Sequence, residues 1–228
     1  ICTASPSANA VWLSLMSHNP DFRLELLAQA KANHYISSSQ PGLSFRSKYP
    51  QEFENLFTTT KTGRAVFCRP IKAVDEDQLR SFFHKLSDHS VYLRYFRKLK
   101  STPQRILQKT ADLDYGTDMA LVMFSLPNAA HHQELVAIAQ WIADNHTGIP
   151  EIAFQVRDDM QGEGLATFLL ERLFAIAKLY GISVLKADVL ADNRGMRKVF
   201  AKSGVPYTCT TDFGVVSYTF DLNGEIQP

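Results

Sequence analysis

The chain has 228 residues, 45% hydrophobic and 21% charged, with a formal net charge of +1. That composition suits one sizeable soluble domain with an appendage, and so small a charge excludes an overall field that would draw the chain to nucleic acid or an anionic membrane. No run approaches the ~18–20 apolar residues of a membrane span, and no basic-then-apolar leader opens the chain, so a cytoplasmic protein is expected.

The chain opens at Ile1 and not at methionine, which suggests a fragment or a trimmed chain. Residues 18–32 carry Asn19 as a helix N-cap, Pro20 at the first helical position, and Leu24, Leu27 and Ala28 as an apolar stripe. A short helix of this kind cannot bury its face alone. The following stretch, SSSQPGLSFRSKYP, is rich in Ser, Pro and Gly and reads as a linker. The expected division is an N-terminal helical extension over 1–45, a linker over 46–63 and one domain over 64–222.

From Arg64 the pattern changes. RAVFCRPI is strand-like, and DEDQLRSFFHKL has an acidic start with Leu79, Phe82, Phe83 and Leu86 at helical spacing. A second helix, SVYLRYFRKL, follows, with Leu93 and Phe96 expected on the core. Strand candidates at 119–126, 134–143 and 151–157 suit an antiparallel meander. A helix at 163–180, a strand at 183–190, a helix at 194–203 and strands near 205–210 and 215–222 complete the domain. The strand–helix–strand run from 151 to 190 predicts a parallel pair.

Three cysteines, Cys2, Cys68 and Cys209, are too few and too scattered for a disulfide framework or a zinc knuckle. Cys68 and Cys209 sit in apolar strand-like runs and are expected to be buried thiols. His131, His132 and Glu134 imply no third ligand, so no metal is expected. The basic stretch YLRYFRKLK, with Arg94, Arg97, Lys98 and Lys100, is expected to be solvated or to receive an acidic partner or a phosphate, with nucleic acid the weaker alternative.

The chemistry centres on RDDMQGEGLATFLLERLF at 157–174. A strand that turns through Gly162 and Gly164 into a helix presents free amides and the positive end of the helix dipole, an anion site. A plain strand-to-helix turn is one alternative. A dinucleotide fingerprint is another, with Asp188 as ribose acid, but Thr167 stands where the third glycine belongs and only about 60 residues remain.

More of the chain is accounted for by a family resemblance. Gln161-Gly162-Glu163-Gly164-Leu165-Ala166 resembles the Q/R-x-x-G-x-G/A motif of the GNAT acetyltransferases, and Asn193 to Gly204 resembles their second motif, N-x-x-A/M-x-x-x-Y/F-x-x-x-G. Residues 69–96 are similar to the opening strand and paired helices of the bacterial Pat-type protein lysine acetyltransferases. The N-terminal helix is similar to the last helix of the acetyl-CoA hydrolase/transferase family, which would make this chain the tail of a fusion; any amphipathic helix packed on the domain is the alternative.

The resemblance implies an α/β (α+β) GNAT fold, a mostly antiparallel sheet of about six or seven strands flanked by helices, with the parallel pair splayed around acetyl-CoA. It implies pyrophosphate binding by the amides of Gln161, Gly162, Glu163, Gly164, Leu165, Ala166 and Thr167. Main-chain contacts to the pantetheine arm would come from Val156 and Asp158, and a side-chain contact from Asn193. Glu151 would be the general base. Phe200 stands where many members carry a tyrosine acid; it is expected to pack beside the cofactor, leaving the acid role to water, to Tyr207 or to nothing. The implied reaction is acetyl transfer from acetyl-CoA to an amine, in the first place a protein lysine. A non-catalytic acyl-CoA sensor for a fused hydrolase/transferase and a small-amine acetyltransferase remain as alternatives.

Overall fold

The computed structural model describes residues 49–54, 56–97, 104–126, 133–144 and 147–224. The N-terminal helix, the resemblance carried by it, and His131 and His132 lie outside the described residues.

Eight strands form one open sheet in the order β1-β2-β3-β4-β5-β6-β8-β7. They are β1 (Leu56–Thr59), β2 (Ala65–Pro70), β3 (Met119–Ser125), β4 (Leu135–Ile142), β5 (Glu151–Val156), β6 (Val184–Leu190), β7 (Tyr207–Asp212) and β8 (Val215–Asp221). All neighbours are antiparallel except β5 and β6. Among the described residues the α-helices are α1 (Glu76–His84), α2 (Asp88–Tyr95), α3 (Gln104–Ala111), α4 (Leu165–Leu179) and α5 (Arg194–Ala201).

The core is built on β3 and β4, whose near-continuous apolar runs, MALVMFS and LVAIAQWI, are buried on both faces. Such runs fit strands covered on two sides, and helices α1 and α4 both pack on β4. Leu169, Leu170, Leu173, Ile176 and Ala177 of α4 are buried at helical spacing. Leu79 and Phe82 do the same for α1. Trp141 is fully enclosed, and its indole N–H donates to the Thr117 carbonyl at 3.0 Å, so a large ring enters the core without an orphan donor.

The second major anchor lies in the RPIKAVD stretch. Arg69 donates through Nη1 and Nη2 to the two carboxylate oxygens of Asp75, at 2.6 and 2.7 Å, and the Lys72 amide donates to the same carboxylate at 2.7 Å. Asp75 is 3% exposed. The guanidinium also lies 4.7 Å from the centre of the Phe124 ring. The fork ties β2 to the turn that launches α1.

Several sequence expectations need correction. Residues 56–59, assigned to the linker, form the edge strand β1, paired to β2 from Leu56↔Cys68 to Thr59↔Ala65. Helix α3 was not expected; among the described residues it buries Leu107, Thr110 and Ala111. Phe96 is not on the core: it ends α2 in a left-handed conformation, φ 56°, and is 39% exposed. Cys68 is buried as expected, but Cys209 is exposed because β7 is an edge strand with all six residues exposed.

Asp75→Ala leaves the Arg69 guanidinium enclosed without its counter-ion, and a loss of about 3–5 kcal/mol is expected, read as a lower chemical-denaturation midpoint.

Candidate active site

The site begins with a gap in the sheet. Strand β5 pairs with β4 along its whole length, from Ala137↔Val156 to Ile142↔Glu151. Toward β6 it pairs only at Glu151↔Lys186, where the Lys186 amide donates to the Pro150 carbonyl at 2.9 Å. Strand β6 meanwhile holds β8 at every position from Val184 to Leu190. Beyond Glu151 the two strands diverge, and a cleft of about 640 Å³ opens between them.

The divergence strips β5 of ladder partners on one edge. Arg157 donates its amide to the Val136 carbonyl of β4. By the alternation of a strand, the amides of Phe154 and Val156 then face the cleft. Underneath, Phe200 of α5 makes ring contacts with Phe154 of β5 at 6.1 Å and with Tyr218 and Phe220 of β8 at 5.0 and 5.1 Å. This aromatic cluster fills the space below the diverging strands.

At the far end the chain turns through Gly162 (φ 78°) and Gly164 (φ 91°) into α4. A Cβ on Gly162 would meet nothing within 4 Å, so positive φ and not crowding selects glycine there. Gly164 gives α4 no side-chain cap, and its first turn holds no acid. The first intrahelical bond is Phe168 N–H to Gly164 C=O at 3.1 Å. The amides of Leu165, Ala166 and Thr167, all on the cleft wall, therefore have no partner within the helix. Lys61, Lys198 and Lys202 line the same cleft, and Lys61 Cε lies 4.0 Å from where a Gly164 Cβ would be. The arrangement attracts an anion by both dipole and charge.

Side chains around this turn brace it. Asp158 accepts from the Ser87 amide at 2.8 Å, Ser87 Oγ at 2.6 Å and Ser90 Oγ at 2.7 Å, which fastens the start of α2 to the loop. Burial alone would raise the Asp158 carboxyl, but these donors outweigh it and hold it below its ordinary value. Gln161 donates from Nε2 to Ser90 Oγ and to the Val156 carbonyl, at 3.0 and 3.2 Å. Glu163 turns outward and accepts from the Thr62 amide and hydroxyl, both at 3.0 Å, while its carbonyl accepts from the Lys61 amide at 3.2 Å.

Glu151 stands at the closed end of the cleft, with Arg94 and Asp188. Partial burial raises its carboxyl above the ordinary glutamate range, the negative field of Asp188 adds to this, and Arg94 opposes it. Burial also lowers Arg94. Asn193 caps α5, its Oδ1 accepting from the Met196 amide at 3.0 Å, and the residue lines the cleft. Among the described residues no group of three His, Cys, Asp or Glu could hold a metal.

The cleft thus joins a helix start that suits an anion to a partly buried carboxyl of raised proton affinity. A model of the Acetyltransferase (GNAT) family matches residues 73–205. The chain belongs to this family. Acetyltransferase Pat of Mycolicibacterium smegmatis is 28% identical to it over 163 residues, which cover 71% of this chain and 47% of that protein. The chain thus spans about half the length of the curated relative that it matches. Among solved structures, the GNAT domain of S. lividans PAT is 29% identical with a TM-score of 0.67, covering 76% of this chain and 99% of that one. A mutant of a cAMP-binding acyltransferase from Mycobacterium smegmatis is 25% identical with a TM-score of 0.50, covering 74% and 47%. Both the matching family and the curated relative carry the name acetyltransferase.

The GNAT cleft brings together Glu151, Val156, Gln161, Gly162, Gly164, Leu165, Ala166, Thr167, Asn193 and Phe200. The carboxylates of Asp158 and Glu163 are held against other elements and stay off the cleft wall, which leaves only their main chain, as expected, for a ligand. Gln161 also acts as a brace, with its Nε2 already engaged. Tyr207 packs on Tyr218 and Phe220 and does not reach the cleft wall. Sequence reasoning missed Lys61, Ser90 and Gln155 as lining residues, and it weighed Asp188 only as a ribose acid. Ser90 and Lys61 meet Asp158, Gln161 and Glu163 across 68 to 102 positions, and no local spacing carries that information.

Asp158→Ala releases three donors of α2 at once. A loss of about 2 kcal/mol is expected, with faster amide exchange over 158–164. Because the carboxyl is lowered on folding, its contribution is full at neutral pH and fades as pH falls through the lowered value.

Proposed function

We propose that the chain moves an acetyl group from acetyl-CoA to an amine, in the first place the ε-amine of a protein lysine. The observation that carries this is the single cleft running from the uncapped, acid-free start of α4 to Glu151. The amides of Gly164 to Thr167 and the neighbouring lysines suit the diphosphate of CoA. The unpaired β5 edge suits the amides of the pantetheine arm. The Pat-type relatives support a protein lysine as acceptor.

Acetyl-CoA supplies the activated acyl group; the protein must supply position, a base and a donor for the charge that develops on oxygen. A lysine with pKa ~10.4 is neutral in roughly one molecule in 2,500 at pH 7, a cost of about 4.6 kcal/mol. Glu151 takes that proton, directly or through one water, and its raised proton affinity makes it a better base. A cleft-facing amide of β5 donates to the reacting carbonyl. No side chain needs to protonate a leaving thiolate whose pKa is ~8.5, which agrees with Phe200 in place of a tyrosine.

Glu151→Gln is expected to lower kcat by about 10²–10³-fold while calorimetry finds CoA affinity unchanged. Equal turnover in the two proteins would remove Glu151 as the base. The base works when deprotonated, so kcat/KM of the native protein rises with pH through a midpoint above the ordinary glutamate value. Gly164→Asp places a carboxylate at the anion site and is expected to weaken CoA binding more than Gly164→Ala, which carries the same backbone strain without the charge.

A further inference from the structure

Asp188 of β6 is an acid of the cleft that serves neither as the base nor in the anion site. It lines the cleft beside Glu151 and is exposed. Among the described residues no hydrogen bond or ion pair engages its carboxylate. The strand register fixes where it points. Glu151 pairs with Lys186, and Asp188 stands two positions further along β6, so Glu151, Lys186 and Asp188 project from one face of the sheet. One strand spacing and two residue rises put the Cα atoms of the two acids on the order of 8 Å apart. The negative field of Asp188 reaches the Glu151 carboxyl, in agreement with that placement.

The same face stays open beyond the cleft. Asp188 pairs with Ser217 of β8 and Ser217 with Thr210 of β7, and all three are exposed. Val216, Tyr218 and Phe220 fill the opposite, buried face. A polar row therefore leads from the edge of the sheet to Asp188 and, one strand further, to Glu151. Phosphates are provided for at the other end of the cleft, so the substrate that arrives along this row is the amine. With a pKa of ~10.4 a lysine arrives as an ammonium, which an exposed carboxylate attracts. Its three N–H donors are enough for carboxylates on both strands.

We propose that Asp188 is the docking residue for the acceptor's ammonium, which it holds beside Glu151. The assignment rests on the amine-acetylation reading of the cleft and adds a charge requirement to it. Glu151 takes one proton, and Asp188 keeps a hydrogen bond to a remaining N–H of the neutral amine. The freed lone pair forms the bond to the acetyl carbon, and the sulfur leaves as thiolate with the electron pair of the C–S bond. A cationic amine is thereby selected over an uncharged one.

The test compares the native protein with Asp188→Asn in thiol release from acetyl-CoA. Two amines are used: Nα-acetyl-lysinamide, a cation at neutral pH, and O-methylhydroxylamine, which is uncharged there. The expected result is about a tenfold rise in KM for the lysinamide, kcat within about threefold, and an unchanged KM for the neutral amine. Asp188→Glu, which keeps the charge, should hold KM for the lysinamide near the native value. Burial and then the field of Asp188 raise Glu151, Asp144 adds to this, and Arg94 of α2 opposes it. Removing the Asp188 charge therefore moves the midpoint of kcat/KM for the neutral amine to lower pH. An unchanged KM for the lysinamide in Asp188→Asn overturns the assignment, and so does an equal rise for both amines, which reports lost shape and not lost charge. Weakened CoA binding by calorimetry would move Asp188 to the donor's site and likewise overturn it. Native protein that binds CoA yet releases no thiol with either amine would remove the amine-acetylation reading itself.

Discussion

The structure depends on one interruption of hydrogen bonding, the divergence of β5 from β6 after the single pair Glu151↔Lys186. A parallel pair in the middle of a sheet normally continues for the length of both strands, because each unpaired amide or carbonyl costs free energy if it is buried. Here the ladder stops, and the unpaired edge of β5 borders a cleft instead of a neighbour. The cleft exists because the sheet on either side is complete. Strand β4 holds β5 at six positions, and β8 holds β6 at seven, so neither strand can drift to close the gap.

Much of the surrounding polar network keeps the open end in place. The turn that enters α4 carries two glycines at positive φ and an uncapped helix start, conformations that do not stabilise themselves. Asp158 ties the turn to α2, Gln161 ties it to Ser90 and to β5, and Glu163 ties it to the β1–β2 turn through Thr62. Two elements remote in sequence, α2 and the β1–β2 turn, thereby converge with the end of β5 on the six residues 158–163. The consequence is a set of backbone amides fixed before any ligand arrives, and fixed donors bind and stabilise charge better than donors that must be ordered.

This division of labour explains what was legible in the sequence. The glycine turn, the helix after it and the order of strands follow from local patterns: period two in β5, apolar spacing in α4, and glycines where φ must be positive. Glu151, Asn193 and Phe200 were also placed at the cleft. What local pattern could not show is which polar side chain faces the ligand and which faces the scaffold. Asp158 and Glu163 were expected to offer their main chain, and the roles of their carboxylates come from Ser90 and Thr62, 68 and 101 positions away. The same limit accounts for β1, whose strand character comes from pairing with β2, and for Cys209, whose exposure comes from standing on the last strand of the sheet.

The costs are concentrated where the chemistry is. Positive-φ glycines, uncapped amides and a carboxyl held partly out of water at Glu151 all border the same cleft. The uncapped helix start and the partly desolvated carboxyl would be disfavoured in a chain selected for stability alone. They are tolerated because β3 and β4 are buried on both faces and because the Arg69–Asp75 fork fixes the turn before α1. The proposed ligand, with phosphates at one end and a reactive group at the other, would meet the helix start and Glu151 in the order in which β5 and its loop present them. That correspondence, between a list of unsatisfied groups and the layout of one molecule, is a stronger argument for the cleft's occupant than any one of its residues.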